Sequence, residues 1–285
     1  MRPPAFPAGL AQLADRYDVI LCDVWGVIHN GRRAFEEACE ALVRFRDRGG
    51  AVVLITNSPV PKAQVIRYFD PLGIPDEAYD DCVSSGDVTR TLLAERGHEV
   101  FWRLGADEGW EHDRHLYDGL NLQFGDASDA DTLLCIGLED QLNDVPEDYR
   151  ERLSLAADRG MDMICANPDI KVRIGDQLYW CAGALAQIYE QEGGRVVYPG
   201  KPHDPIYDLA LVRLSEIGLV PAAGRILCIG DSPATDMGGA HRRGYDGLYV
   251  GTGLSLHGGD FPTEVADLLA EYGIEAKWAM PALTW

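Results

Sequence analysis

The feature that most constrains this chain is a set of short apolar runs with no polar face, each followed at once by polar residues. Val19–Cys22 runs into Asp23, Ala51–Ile55 into Thr56-Asn57-Ser58, and Ile226–Ile229 into Gly230-Asp231. A strand with one wet face alternates apolar and polar residues, whereas a run that is apolar on both faces needs cover on both. Between the first two runs lies a segment of helical period from Ala34 to Arg48, closed by Gly49-Gly50. After the third come a helical stretch from about Ala234 to Arg243 and the run Gly247–Gly251. Lys201-Pro202-His203-Asp204-Pro205 opens a further helix, with Asp204 as N-cap, Pro205 as first helical residue and Gly218 closing it. This β-α-β order predicts an α/β fold built on a doubly wound parallel sheet covered by helices.

The middle of the chain reads differently. Strands over Glu99–Leu104, Thr132–Ile136 and Asp162–Ala166 mix with helices over Asp148–Arg159 and Ala182–Glu192. Acidic connections such as Gly125–Thr132 and Glu139–Tyr149 separate them. A length of 285 residues accommodates two modest domains at about 150 residues each. The expected organisation is therefore a first domain from 1–83 and 199–285, with a second α/β unit, 84–198, inserted into it.

Lys+Arg 25 against Asp+Glu 46 gives a net charge of −21. Such a field repels nucleic acid and anionic membrane surfaces, so neither is an expected partner. Small anions remain open, because a metal ion or a few placed cations reverse the local potential. No apolar run approaches the ~20 residues that span a bilayer, and the N-terminal stretch lacks the continuous apolar segment of a signal peptide. The seven cysteines are odd in number, form no C-x-x-C and mostly lie inside apolar runs, as buried thiols of a reducing compartment do. The expectation is a soluble cytoplasmic protein.

In a doubly wound sheet, sites form beyond the carboxyl ends of the strands. Four polar clusters follow core elements here: Asp23-Val-Trp-Gly-Val, Thr56-Asn57-Ser58, Gly200-Lys201-Pro202, and Gly230-Asp231 through Asp236. A carboxylate at a strand end can attack phosphorus as a nucleophile. Carboxylates from separate strand ends can hold Mg²⁺, a hard ion that prefers oxygen ligands. Hydroxyl and N–H groups, with one lysine, can bind the non-bridging oxygens of a phosphoryl group. Of the four lysines, only Lys201 lies in such a cluster.

In this order the four clusters resemble the motifs of the haloacid dehalogenase-like (HAD) hydrolases. The large insert between Thr56 and Lys201 is similar to class IIA, the branch with p-nitrophenyl, nucleotide and sugar phosphatases. So are Asn167-Pro168-Asp169 in the insert and Val250-Gly-Thr-Gly-Leu-Ser255 near the end. The resemblance implies a Rossmann-like core with a mobile cap that chooses the substrate. It implies Asp23 as nucleophile, with Lys201 stabilising the phosphoryl group and orienting Asp23. Thr56 and Asn57 would bind that group. Mg²⁺ would be held by Asp23, Asp231, Asp236 and the main-chain carbonyl of Trp25. The implied partner is a small phosphorylated substrate, and a homodimer through the cap is one arrangement among those left open.

The family's phosphatases usually read D-x-D-G, the second Asp serving as general acid and then base. This chain reads Asp23-Val24-Trp25-Gly26, and an indole cannot exchange a proton in that role at neutral pH. Three readings follow. The enzyme acts on good leaving groups or recruits another acid/base, for which His29 and His203 are positional candidates. It runs dehalogenase-like substitution at Asp23, a reading that the acidic pair Asp231 and Asp236 disfavours. Or it binds a phosphorylated ligand without turnover.

The bland readings weigh differently from site to site. Asp23, Thr56, Asp231 and Asp236 each suit caps and turns, but their ordered occurrence favours chemistry. His112 and His115 with Asp107, Glu108, Glu111 and Asp113 are better read as a solvated acidic segment than as a second metal site. Trp25 is expected to wall the pocket, and Trp180 either touches substrate or packs. The Gly251-x-Gly253 pair lacks the third glycine and following βαβ unit of a dinucleotide site.

Overall fold

The computed structural model describes residues 3–106, 114–174, 177–253 and 259–285. In chain order its elements begin with β1 (Val19–Asp23), α1 (Glu36–Asp47), β2 (Ala51–Thr56), α2 (Lys62–Arg67), α3 (Phe69–Leu72), β3 (Asp81–Ser84) and α4 (Ser85–Glu95). There follow β4 (Val100–Leu104), β5 (Gln123–Phe124), β6 (Thr132–Cys135), α5 (Arg150–Asp158), β7 (Asp162–Cys165), β8 (Lys171–Ile174), β9 (Gln177–Trp180) and α6 (Ala182–Gln191). The chain continues with β10 (Arg195–Val197), α7 (Asp204–Glu216), β11 (Ile226–Gly230), α8 (Gly238–Arg243), β12 (Asp246–Val250), α9 (Phe261–Tyr272) and β13 (Trp278–Met280).

The chain forms two compact units. The first comprises Met1–Thr56, Ile66–Val83 and Tyr207–Trp285. Its six-stranded sheet has the order β13-β12-β11-β1-β2-β3. The central strand β1 pairs parallel with β11 and with β2. Every residue of β1, β2 and β11 is buried, which is why these runs carry no polar alternation. The second unit comprises Asn57–Val65 and Ser84–Ile206. It has a five-stranded sheet, β10-β7-β6-β4-β5, and a separate β8-β9 hairpin. Its core joins Leu133, Cys135, Met163 and Cys165 of the sheet to Leu185, Ala186 and Tyr189 of α6.

Three sequence boundaries shift. Segments 57–65 and 199–206, expected in the first unit, pack with the second. Ser58 accepts from the Gly86 N–H, and the Asn57 side chain bonds Lys201 and Asp169. Helix α1 begins at Glu36 rather than Ala34, because the N–H groups of Ala34 and Phe35 are taken by Leu72 and Ile28. Asp204 is the first residue of α7, not its cap. The α/β reading itself holds. All seven cysteines are buried thiols, and no described helix is long and apolar enough to cross a membrane.

Leu21, wholly buried in β1, lies opposite Cys228 on one side and Val53 on the other. Leu21→Ala is expected to cost about 2–5 kcal/mol through lost transfer energy and a residual cavity. Urea unfolding reads this as a lower midpoint. A loss below about 1 kcal/mol would mean that the sheet collapses to fill the space.

Candidate active site

Asp23 ends β1 with its backbone opposite Ile55 of β2, one residue before Thr56. The chain then turns sharply. Ile28 N–H donates to the Val24 carbonyl at 3.0 Å, and Gly26 N–H to the His29 carbonyl at 2.9 Å. Gly26 has φ +85°, the left-handed region that favours glycine. A Cβ at Gly26 would stand 2.4 Å from Asp231 Oδ2, and one at Gly253 only 1.7 Å from the same atom. A Cβ at Gly230 would lie 2.1 Å from Asp236 Cγ. Two carboxylates thus occupy space that exists only because three positions carry no side chain.

The segment from Gly230 to Asp236 explains how the second of them turns back. Pro233–Met237 forms a single π-helical turn, opened by Ser232, whose Oγ accepts from Thr235 N–H. Ser232 N–H donates to Asp236 Oδ2 at 3.1 Å. The sequence reading placed an ordinary helix from about Ala234, but the wider turn precedes α8. Asp23, Asp231 and Asp236 consequently offer carboxylate oxygens that all lie within 4.8 Å of one another. Asp23 is 7% exposed and Asp236 3%. Carboxylates this close repel one another. A hard divalent cation that takes oxygen ligands suits such a donor set. Thr56, at the end of β2, is buried in the same unit.

Trp25 is half-buried. Its indole meets the His29 ring edge-on at 4.8 Å, and a Cβ on Gly31 would lie 2.5 Å from its Cη2. The indole is therefore braced within its own loop, which narrows the expectation that it simply walls a pocket. His29 is 4% exposed, and its Nδ1 accepts from Gly31 N–H at 2.9 Å. That bond leaves the ring proton of the neutral imidazole on Nε2. Burial lowers the pKa of His29 to about 4, so at neutral pH the ring has no acid proton of the imidazolium kind to give. His203, the other positional candidate, lies in the second unit with its ring stacked on Tyr198 at 4.4 Å.

Asn57 and Lys201 both belong to the second unit and are 2% exposed. Lys201 N–H donates to Asn57 Oδ1 at 2.7 Å. Asn57 Nδ2 donates to the Lys201 carbonyl at 3.1 Å and to Asp169 Oδ1 at 2.9 Å. In the sequence Asp169 stands out only as part of the Asn167-Pro168-Asp169 motif. The signal available was its place in an Asn-Pro-Asp turn just past the end of a strand. A Cβ at Gly200 would stand 2.4 Å from Asn57 Oδ1, so the glycine before Lys201 permits this approach.

Trp180 packs against the core of the second unit, and Lys171 Nζ lies 3.9 Å from its ring centroid, which is the packing reading. His115 faces Asp118 at 3.2 Å. The remainder of the weighed acidic cluster, Asp107, Glu108, Glu111, His112 and Asp113, lies outside the described residues, as do Leu254 and Ser255.

Known proteins arrange themselves around this geometry. Residues 20–116 match the model of the haloacid dehalogenase-like hydrolases, and residues 198–272 a second, HAD-hydrolase-like model. A crystal structure of a haloacid dehalogenase-like hydrolase from Brucella suis is 42% identical, covers 98% of this chain and all of its own, and superposes with a TM-score of 0.84. The chain belongs to the haloacid dehalogenase-like hydrolases. Its inserted unit places it in their class IIA branch. The 5'-nucleotidase YutF of Bacillus subtilis is 27% identical over 267 residues, 90% of this chain and 97% of that protein. The p-nitrophenyl phosphatase of Archaeoglobus fulgidus shares the fold at a TM-score of 0.70, with 18% identity over 93% of this chain and 96% of its own.

The mutual repulsion of the three carboxylates has a measurable consequence. In metal-free protein at neutral pH, Asp231→Asn is expected to raise Tm by about 2 °C or more. Added Mg²⁺ should stabilise the native chain by linkage and the variant much less. A variant that melts lower without metal, and gains as much from Mg²⁺ as the native chain, would show that Asp231 does not share the charge of the cluster.

Proposed function

We propose that this chain is a Mg²⁺-dependent phosphatase of a small phosphorylated metabolite, working through an aspartyl-phosphate on Asp23. The observation that carries the reading is the convergence of Asp23, Asp231 and Asp236 within 4.8 Å. A cluster of ionised carboxylates facing a phosphate dianion is electrostatically untenable without a cation, and the all-oxygen donor set fits Mg²⁺. The ion, when bound, neutralises the repulsion between nucleophile and phosphate. Asp231 and Asp236 would hold it, with a carboxylate oxygen of Asp23 and the main-chain carbonyl of Trp25.

One oxygen of Asp23 attacks phosphorus, the bond to the leaving oxygen breaks, and the phosphoryl group resides on Asp23 until water hydrolyses the acyl phosphate. The Thr56 hydroxyl and the main-chain N–H of Asn57 bind non-bridging oxygens, and the Lys201 ammonium supplies a compact positive charge to them. The Trp25 side chain provides no proton for the leaving oxygen, and the neutral His29 ring is already engaged through Nδ1. Aryl and acyl phosphates, whose leaving groups depart unprotonated, are therefore the favoured substrates. The acidic pair Asp231 and Asp236 speaks against a metal-free dehalogenase. The family relationship favours turnover over binding alone. The buried free thiols fit a reducing, cytoplasmic setting.

The test is phosphate release from aryl, acyl, nucleotide and sugar phosphates, with Mg²⁺ and with EDTA. Release should require Mg²⁺ and vanish in Asp23→Asn. Aryl and acyl substrates should exceed alkyl ones by about 10²–10⁴-fold in kcat, the usual contribution of a general acid. Trp25→Asp should narrow that gap. Release that persists in EDTA or in Asp23→Asn would overturn the reading.

A further inference from the structure

The side chain of Asn57 makes three hydrogen bonds in this fold. Its Oδ1 accepts from Lys201 N–H at 2.7 Å, while Nδ2 serves the Lys201 carbonyl at 3.1 Å and Asp169 Oδ1 at 2.9 Å. The amide cannot be turned over. The Lys201 N–H can only donate and its carbonyl can only accept, so these two partners dictate which end is oxygen. With both Nδ2 protons committed and the residue 2% exposed, the carboxamide has no donor left for a phosphoryl oxygen.

We propose that the Asn57 side chain is a positioning residue, which fixes the main chain of Lys201 from both its N–H and its carbonyl. In this proposal Asp169 is the group that fixes Asn57. The kinetic part of the argument rests on the phosphatase reading. A lysine on a flexible four-carbon stem delivers its charge accurately only if its main chain is held. The surroundings are built for that purpose. A Cβ on Gly200 would meet Asn57 Oδ1 at 2.4 Å and Pro168 Cδ at 3.0 Å. A Cβ on Gly183 would meet the Pro168 carbonyl oxygen at 2.2 Å. The turn carrying Asp169 is thus pressed from one side by the Lys201 segment and from the other by the start of α6. It is further held by Asp169 N–H donating to Asn167 Oδ1 at 3.0 Å. An acidic side chain from the inserted unit thereby acts through one amide on the lysine that binds phosphate.

The experiment combines kinetics with amide exchange on the full chain. Asn57→Ala should lower kcat by about 10²-fold, the scale on which small misplacements of a catalytic group act, with little change in KM. In a Lys201→Met background the same substitution should cost less than about threefold, because residues that work as one unit are not additive. Asn57→Asp sets two carboxylates against each other. The exchanged pair Asn57→Asp with Asp169→Asn restores a donor facing an acceptor, and should recover about tenfold over Asn57→Asp alone.

Hydrogen exchange at the Lys201 amide needs no turnover, and it should be slow in the native chain and fast in Asn57→Ala, which removes the oxygen that accepts from that amide. An Asn57→Ala enzyme within about threefold of native, or unchanged Lys201 exchange, would overturn the clamp. A swap no better than the single variant would remove Asp169 from it. Absence of turnover in the native chain would refute the phosphatase reading alone, and the exchange result would still decide the clamp.

Discussion

The structure depends on bringing three carboxylates, Asp23, Asp231 and Asp236, to within 4.8 Å of one another in a largely buried place. Nothing about such a cluster is stable by itself, since carboxylates held this close repel one another. What secures it is backbone. A central strand delivers Asp23, a glycine in the left-handed region makes room for Asp231, and a π-helical turn brings Asp236 back against Gly230. An isolated π turn of this kind is characteristic of functional positions. Here its geometric use is plain, because it lets Ser232 N–H reach Asp236 Oδ2.

The second unit organises its own residues around one neutral side chain. A single carboxamide, that of Asn57, engages both main-chain polar groups of Lys201 and one oxygen of Asp169.

Much of this was legible in the sequence, for identifiable reasons. Strands β1, β2 and β11 are buried along their whole length, so their unbroken apolar runs stand out. Asp23 and Asp231 were legible because each lies at or just past the end of such a run, and Asp236 because it belongs to the polar cluster that follows β11. The β8–β9 hairpin was not, because its residues are half-buried or exposed and carry no strong pattern. The start of α1 lies later than its helical period suggests because bonds to Ile28 and to the distant Leu72 hold Ala34 and Phe35 extended. The role of Asn57 was illegible for the same kind of reason. Its partners lie 112 and 144 residues away, and no local pattern reports a contact of that range.

The central claim, that Asp23 carries the phosphoryl group, is tested most directly by acid quenching of the Mg²⁺-loaded protein during turnover of a ³²P-labelled aryl phosphate. Proteolysis then locates the label. Radioactivity is expected on the peptide containing Asp23, discharged by hydroxylamine as an acyl phosphate is, and none in Asp23→Asn. Label on another residue that turns over at the catalytic rate would contradict it.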